Sequence, residues 1–227
     1  VTALSPEVDE LLGRFTSASN LTVLGRAGGA LVVYKPTAGV RPLWDFDAAT
    51  LADREVLTYR VSEAMGLGLV PETVRGDGPL GPGTVQRFVE ADPGFDPFPL
   101  VERGDDALWP MAVLDLATNN ADRKASHFLR EQGTGRIWAI DHGLTFHPAD
   151  KLRTVLWAFA GRALPAGLVE ALRSLEAALA ADLGTAVADA LGTRAASALQ
   201  RRVAALLRHP VHPSPPGDRH AVPWPPF

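Results

Sequence analysis

The apolar residues change period along this chain, and that change restricts the fold more than any other feature. Over roughly the first ninety residues the runs are short and β-like. Leu21–Leu24 is a β-prone stretch, Gly25-Arg26-Ala27-Gly28-Gly29 reads as a turn, and Leu31-Val32-Val33-Tyr34 is a second strand closing at Lys35-Pro36. One helix interrupts this region, from Asp47 to Leu67. Asp47 or Thr50 can cap it, and Leu51, Val56, Leu57, Val61 and Ala64 recur at helical spacing. Val70-Pro71 starts an extended segment, Gly76 to Gly83 is a turn rich in glycine and proline, and Thr84 to Val89 reads as another strand.

Beyond a proline-bearing loop around Asp92–Pro99 the period turns helical. Asp105–Thr118 reads as a helix and Asn119 to Lys124 as a polar turn. Phe128-Leu129 and Ile137 to Ile140 are short strands around Gly133-Thr134-Gly135. From Pro165 to Leu207 the chain is almost wholly helical, with Leu168, Leu172, Leu175, Leu179, Leu183 and Val187 as an apolar stripe. From His209 it is proline-rich, so regular structure is not expected; the segment either lies against the body through Trp224 or hangs free. Trp44, Trp109, Trp138 and Trp157 are most simply packing residues. Strands first and helices after imply an α+β chain.

Composition narrows the function classes. At 227 residues the chain is one domain or a compact two-lobed unit. Its 46% hydrophobic and 21% charged residues are a globular balance, which argues against extensive disorder. Apolar runs such as Val155–Ala160 fall far short of the roughly 20 residues a bilayer span needs, so no membrane insertion is expected. The absence of cysteine removes disulfides, thiolate metal sites and cysteine nucleophiles. No basic-then-apolar leader is visible in the first residues, and the absence of cysteine makes a reducing cytoplasm the expected location. A net charge of −4 disfavours nucleic acid as a partner. Of 22 basic residues only Lys35, Lys124 and Lys151 are lysine. That bias fits a GC-rich genome, yet it makes each lysine worth questioning, because a guanidinium does not replace a compact ammonium at a tight phosphate site.

Three separated elements gain meaning together. A hairpin carrying Gly28 and Gly29 precedes a strand ending in Lys35; glycine admits close backbone approach to phosphate, and the ammonium can neutralise it. Alone, such a hairpin is ordinary structure. Glu55, on the following helix, can hold the lysine, although Glu63 lies two turns on and nearly on the same face. The third element is Asn119-Asn120-Ala121-Asp122-Arg123-Lys124-Ala125-Ser126-His127-Phe128-Leu129, followed by Ile140-Asp141-His142-Gly143. A carboxylate in a turn, a metal-ligand type five residues later, a strand and a second carboxylate before glycine suit phosphoryl transfer. One acid orients the attacking hydroxyl and the other holds a metal bridging the phosphates. Asp-Arg by itself is more often a surface ion pair.

The ordered set resembles the phosphatidylinositol 3-/4-kinase-like branch of the protein-kinase-like fold, and more closely a short actinobacterial kinase-like branch beside it. Val33-Tyr34-Lys35-Pro36, Arg54-Glu55, Val85 to Glu90, Asn119 to Leu129 and Ile140 to Phe146 carry the resemblance. It implies a two-lobed fold with a small β-rich N-lobe over 1–90, a mainly helical C-lobe over 91–208 and a proline-rich tail over 209–227. It also implies ATP and a divalent metal, Mg²⁺ or Mn²⁺. Lys35 would contact the α/β-phosphates with Glu55 as partner, and Gln86, Arg87, Phe88 and Val89 would form the connector facing adenine. Asp122, Arg123 and Lys124 match the catalytic loop, and Asp141 the metal-binding aspartate. His127 stands where the lipid-kinase pattern has a metal-binding asparagine; imidazole favours softer ions than Mg²⁺. His142 either fills the place of a larger apolar residue or joins His127 and His147 in a cluster. Lys151 and Arg153 are either an acceptor-gripping pair or ordinary loop cations. The expectation is an ATP-dependent phosphotransferase with an unidentified small-molecule or protein acceptor; the alternative is a nucleotide sensor without turnover. The oligomeric state is left open.

Overall fold

The β-like third of the chain forms one five-stranded antiparallel sheet in the order β1-β2-β3-β5-β4. A computed structural model of the protein describes residues 3–16, 20–40, 43 and 45–227; the packing expected of Trp44 lies outside them. The strands are β1 (Glu10–Arg14), β2 (Val23–Ala27), β3 (Ala30–Pro36), β4 (Thr73–Gly76) and β5 (Gly83–Arg87). Val32, Tyr34 and Val85 are fully buried and meet Val8, Val23 and Ala27 in a small core on one face of the sheet. The glycine turn is narrower than its sequence suggests. Gly25, Arg26 and Ala27 belong to β2, and only Gly28 and Gly29 turn, at φ 56° and 83°. Two left-handed residues in succession match the twist of the flanking strands, so glycine suits both positions.

Helix α1 (Leu51–Ala64) follows a short 3₁₀ turn, Ala48–Thr50. Of the two candidate caps Asp47 is used: its carboxylate accepts the Ala49 N–H at 3.0 Å. Leu57 and Val61 of α1 pack with residues of the helical half in one large core, not with the small core of the sheet. That half contains α2 (Phe98–Arg103), α3 (Trp109–Thr118), the hairpin β6 (Phe128–Arg130) and β7 (Ile137–Ala139), then α4 (Ala166–Ala180), α5 (Asp182–Leu191) and α6 (Thr193–Arg208). Helix α2 begins at the end of the stretch read as loop and runs beyond it. Pro97 and Pro99 fall at its start, where a missing N–H costs nothing. The long helical stretch is three helices, broken at Ala181 (φ −96°, ψ −130°) and Gly192 (φ 85°). Gly184 makes the first corner possible, because a Cβ there would lie 2.1 Å from the Leu179 carbonyl oxygen. All six stripe residues are buried; each such Leu or Val contributes about 1.5–3 kcal/mol.

The proline-rich segment lies against the body, but not through Trp224, which is 88% exposed. It is held instead by backbone hydrogen bonds and by His212, whose ring is buried beside Trp109, Trp157 and Phe159. Trp109 and Trp157 therefore pack as expected, and Trp138 lies under the Arg136 guanidinium, 3.8 Å from its carbon to the ring centre. Among the described residues no helix is long and apolar enough to cross a membrane.

Candidate active site

Lys35 stands near the end of β3 opposite Thr84 of β5, and strand alternation turns it away from buried Tyr34 and toward α1. Its Nζ donates to Glu55 Oε1 at 2.8 Å and to Asp141 Oδ1 at 2.5 Å. Glu55 is therefore the partner on α1, and Glu63 is solvent-exposed. The second Glu55 oxygen accepts from Thr84 Oγ1 at 3.2 Å. Burial alone would lower the Lys35 ammonium, but Asp141 and Glu55 beside it raise it above the ordinary lysine range, so it stays charged. A cleft lined by Asn20, Leu21, Lys35, Val40, Leu51 and Glu55 opens beside the pair.

Asp141 follows the last strand of the helical half in a left-handed conformation, φ 60°, uncommon for any residue but glycine and favoured only where surroundings impose it. Its carboxylate keeps 46% of its surface exposed. The protein around it would raise the carboxyl, yet Lys35, with His127 and His142, holds it well below the usual carboxylate range. His127 places Nε2 3.6 Å from Asp141 Oδ2. Its Nδ1 accepts the Lys124 N–H at 3.5 Å. A neutral ring accepting at Nδ1 carries its proton on Nε2, so that atom offers Asp141 a donor rather than a lone pair. Burial pushes His127 down to about 4, and the ring is neutral at pH 7.

Asp122 leaves the turn after α3 with its N–H donating to Asn120 Oδ1 at 3.0 Å and its carboxylate 3.4 Å from Lys124 Nζ. Burial raises its carboxyl, against the pull of Lys124 and Arg153. Arg123 takes a different place from the one expected of a catalytic residue: it is fully buried and cannot touch a substrate. Nor is Asp122 its partner. Its guanidinium forks onto Asp115 of α3 (Nε 3.0 Å to Oδ2, Nη2 2.9 Å to Oδ1), donates to the Ile140 carbonyl at 3.0 Å, and meets His142 Nε2 at 2.7 Å. His142, pushed far below its usual range by burial and by Arg123, accepts from the arginine as a neutral ring. His142 thus fills its buried position as the hydrogen-bond acceptor of Arg123 and not as a stand-in for an apolar side chain. Arg123 is a positioning residue that ties the Asp122 loop to the strand end preceding Asp141.

Several expected site residues lie elsewhere. Gly28 and Gly29 form the tip joining β2 to β3, at the end of β3 opposite Lys35; five residues of strand, roughly 17 Å, separate them from the ammonium. They cannot cradle the phosphates that Lys35 would neutralise. The β1–β2 connection lies at the Lys35 end and contributes Asn20 and Leu21 to the cleft; residues 17–19 of it lie outside the described part. Gln86 belongs to β5 between β3 and β4, with its side chain donating to Thr73 Oγ1, so it is not connector. Phe88 and Val89 do follow the strand, and Phe88 N–H donates to the Leu31 carbonyl at 3.2 Å. Lys151 pairs with Asp45 at 3.1 Å. Arg153 donates through Nε to the Ala121 carbonyl at 2.7 Å, next to Asp122. Among the described residues no three His, Cys, Asp or Glu side chains converge as a metal cluster. One contributor escaped the sequence reading: Asp115, which had a signal, being the one charge in the apolar helix Trp109–Thr118. Arg54, noted only as part of the Arg54-Glu55 stretch, has a role of its own: its Nη1 donates to the Thr145 carbonyl and so docks α1 on the segment after Asp141.

No family model matches the chain. Among solved structures it is similar to the Helicobacter pylori proinflammatory kinase CtkA, at TM-score 0.59 and 13% identity, covering 90% of this chain and 92% of that one. It is also similar to the Golgi casein kinase, at TM-score 0.54 and 12% identity, over 92% and 71% respectively. These likenesses establish a kinase-like fold and give no support for placement among the phosphatidylinositol 3-/4-kinases. Protein Rv2133c of Mycobacterium tuberculosis (strain ATCC 25618 / H37Rv) is 38% identical over 257 aligned positions, 96% of this chain and 91% of its own length. By that relationship the chain belongs to the family of Rv2133c.

Proposed function

We propose that the protein is an ATP-dependent phosphotransferase whose reaction centre lies between Lys35, Asp141 and Asp122. The observation that carries this reading is the Lys35 ammonium held between Glu55 and Asp141 on a kinase-like fold, an arrangement suited to meeting nucleotide phosphates. Lys35 would meet the nucleotide phosphates, with Phe88 and Val89 facing the base. Asp122 would accept the proton of the acceptor hydroxyl, its burial-raised carboxyl suiting that task better than an ordinary aspartate would. Lys124, within 3.4 Å of Asp122, would offset charge on the phosphoryl group in transit.

The donor set fits one divalent ion. Asp141 offers an exposed carboxylate, and Mg²⁺ or Mn²⁺ is commonly held by one or two carboxylates with phosphate oxygens and water completing the shell. Such an ion supplies charge neutralisation across the β- and γ-phosphates. His127 would stay outside that shell, its Nε2 proton turned to Asp141. That same proton favours a second reading, a nucleotide sensor without turnover. The lipid-kinase character rests on the Asn-x-Asp-Arg and Ile-Asp-x-Gly pattern alone, and a cytoplasmic site of action on the absence of cysteine.

ATP turnover with Mg²⁺ and with Mn²⁺, together with nucleotide affinity by calorimetry, tests the proposal on native, Asp122→Asn and Asp141→Asn chains. Both variants should lose turnover by about a hundredfold or more, with Asp122→Asn keeping native ATP affinity. Binding without turnover in the native chain supports the sensor, and native turnover in either variant removes that carboxylate from the chemistry.

A further inference from the structure

Residues 209–227 leave α6 and run back over the helical half to the catalytic turn. The first contacts anchor the segment. Leu164 N–H donates to the Pro210 carbonyl at 2.8 Å, Gly161 N–H to the His212 carbonyl at 2.9 Å, and His212 N–H to the Arg162 carbonyl at 3.0 Å. Farther on, Thr154 N–H and Trp157 Nε1–H both donate to the Ala221 carbonyl, at 3.0 and 2.8 Å. Ala125 N–H then donates to the Pro226 carbonyl at 2.9 Å, and the Phe227 ring meets Phe98 edge-on at 6.2 Å.

The two backbone donors belong to the proposed reaction centre. Ala125 lies three residues after Asp122, and Thr154 lies in the segment after Asp141. The two stretches pair directly, with Arg123 N–H donating to the Arg153 carbonyl and Val155 N–H to the Arg123 carbonyl, each at 3.1 Å. Residues 221–226 cover the outer edge of this pair, and they do so with carbonyl groups. Pro223 is buried, but Trp224 is 88% exposed, Phe227 64% and Val222 43%. The segment bends at Val222, Trp224 and Pro225, and its hydrogen bonds to this edge are made by the backbone carbonyls of Ala221 and Pro226, groups that every polypeptide carries.

We propose that the acceptor is a polypeptide whose backbone carbonyls take up the N–H groups of Ala125 and Thr154, and that residues 220–227 occupy this place in cis until displaced. The proposal rests on the phosphotransferase reading above. In the step it implies, the polypeptide's hydroxyl oxygen bonds to the γ-phosphorus of ATP, the bond from that phosphorus to the β,γ-bridging oxygen breaks to release ADP, and the hydroxyl proton passes to Asp122.

The test uses the full chain with Trp157→Phe, which deletes one donor to Ala221 but keeps the ring beside His212, and Phe227→Ala, a change at an exposed position, singly and together. Release of the segment is read by the rate of tryptic cleavage after Arg219. Occupancy is read by calorimetric binding of a synthetic peptide of residues 217–227. Acceptor access is read by phosphorylation of dephosphorylated casein against ATP hydrolysis in its absence. The double variant should be cleaved about tenfold faster, bind the peptide that the native chain excludes, and phosphorylate casein about tenfold faster with hydrolysis changed less than twofold; one lost hydrogen bond corresponds to roughly that factor. Equal casein phosphorylation despite faster cleavage overturns the acceptor assignment alone. Peptide binding by the variant, with no hydrolysis or transfer by either chain, overturns the phosphotransferase reading and the acceptor assignment with it. Absence of peptide binding by a readily cleaved variant overturns the occupied edge itself.

Discussion

Substituting Asp115 should uncouple the stability of the protein from the geometry of its site. Asp115 is 1% exposed and accepts three hydrogen bonds from the fully buried Arg123, a fourth from Asn120 Nδ2 at 2.9 Å and a fifth from Thr154 Oγ1 at 3.5 Å. Asp115→Asn keeps the shape and removes the charge, leaving Arg123 buried without its counterion. Breaking a buried pair in this way costs about 3–5 kcal/mol. For a chain of this size that corresponds to a fall in Tm of roughly 6–20 °C, at about 2–4 °C per kcal/mol. Replacing both partners with apolar residues of similar volume, Asp115→Leu with Arg123→Met, leaves no orphaned charge and should recover most of the loss. The double variant nevertheless lacks the tether from Arg123 to the Ile140 carbonyl and to His142. Urea unfolding and ATP turnover on the same preparations separate the two effects: a stable double variant with turnover reduced tenfold or more is the expected result. A loss under about 1 kcal/mol in Asp115→Asn would refute the energetic argument. Full turnover in a stable double variant would refute the claim that Arg123 positions the two carboxylates.

Three further outcomes follow from the same geometry. Lys35→Met removes charge-assisted contacts worth about 1.5–3 kcal/mol and should weaken ATP binding about 10- to 100-fold by calorimetry; unchanged affinity would take Lys35 out of the nucleotide site. His127, buried and pushed down from 6.5 to about 4, binds fewer protons folded than unfolded across that interval. Its contribution is therefore intact above pH 6.5 and lost as pH falls toward 4, a change of about 3 kcal/mol. His127→Asn should flatten the acid side of the stability curve by that amount in metal-free urea titrations, whereas parallel curves for the two chains would contradict it. Gly184→Ala drives a methyl to within 2.1 Å of the Leu179 carbonyl and should cost about 1–3 kcal/mol in the same assay, a neutral result showing that the corner between α4 and α5 gives way.

The sequence carried the order of chemistry along the chain better than its placement in space. Scarcity of lysine marked Lys35, Lys124 and Lys151 alike; the first pairs with Glu55 and Asp141, the second lies 3.4 Å from Asp122, and the third pairs with Asp45. Glu55 and Glu63 were inseparable by spacing, since eight residues return to nearly the same helix face; only the docking of α1 on the segment after Asp141 selects the first. The Gly28-Gly29 hairpin was legible as a hairpin, but which end of β3 it occupies depends on strand order. Antiparallel pairing puts the tip and Lys35 at opposite ends, and no local pattern reports that. The course of residues 209–227 was illegible for a related reason. Its contacts are carbonyl to N–H, and every residue carries those groups.

The Asp-Arg pair illustrates how far such a reading reaches. By composition alone it suggests a surface ion pair, and by resemblance two catalytic residues; the structure separates them. Asp122 remains partly exposed at 28%, while Arg123 turns inward to Asp115. The two carboxylates of the proposed reaction centre sit on segments that cannot hold themselves: Asp122 is in a turn, and Asp141 is in a left-handed conformation that costs about 1–3 kcal/mol for a residue other than glycine. What holds them is the buried fork, which grips α3 with one edge and the carbonyl before Asp141 with another. Lysine would offer a charge at that position but not the planar fork that grips both Asp115 oxygens while its far side reaches the Ile140 carbonyl and His142. The arginine thus serves the geometry of two loops, and under the proposed function the carboxylates beside it serve the chemistry, so substitutions at the two positions should fail in different ways: the first by losing alignment, the second by losing the proposed proton acceptor.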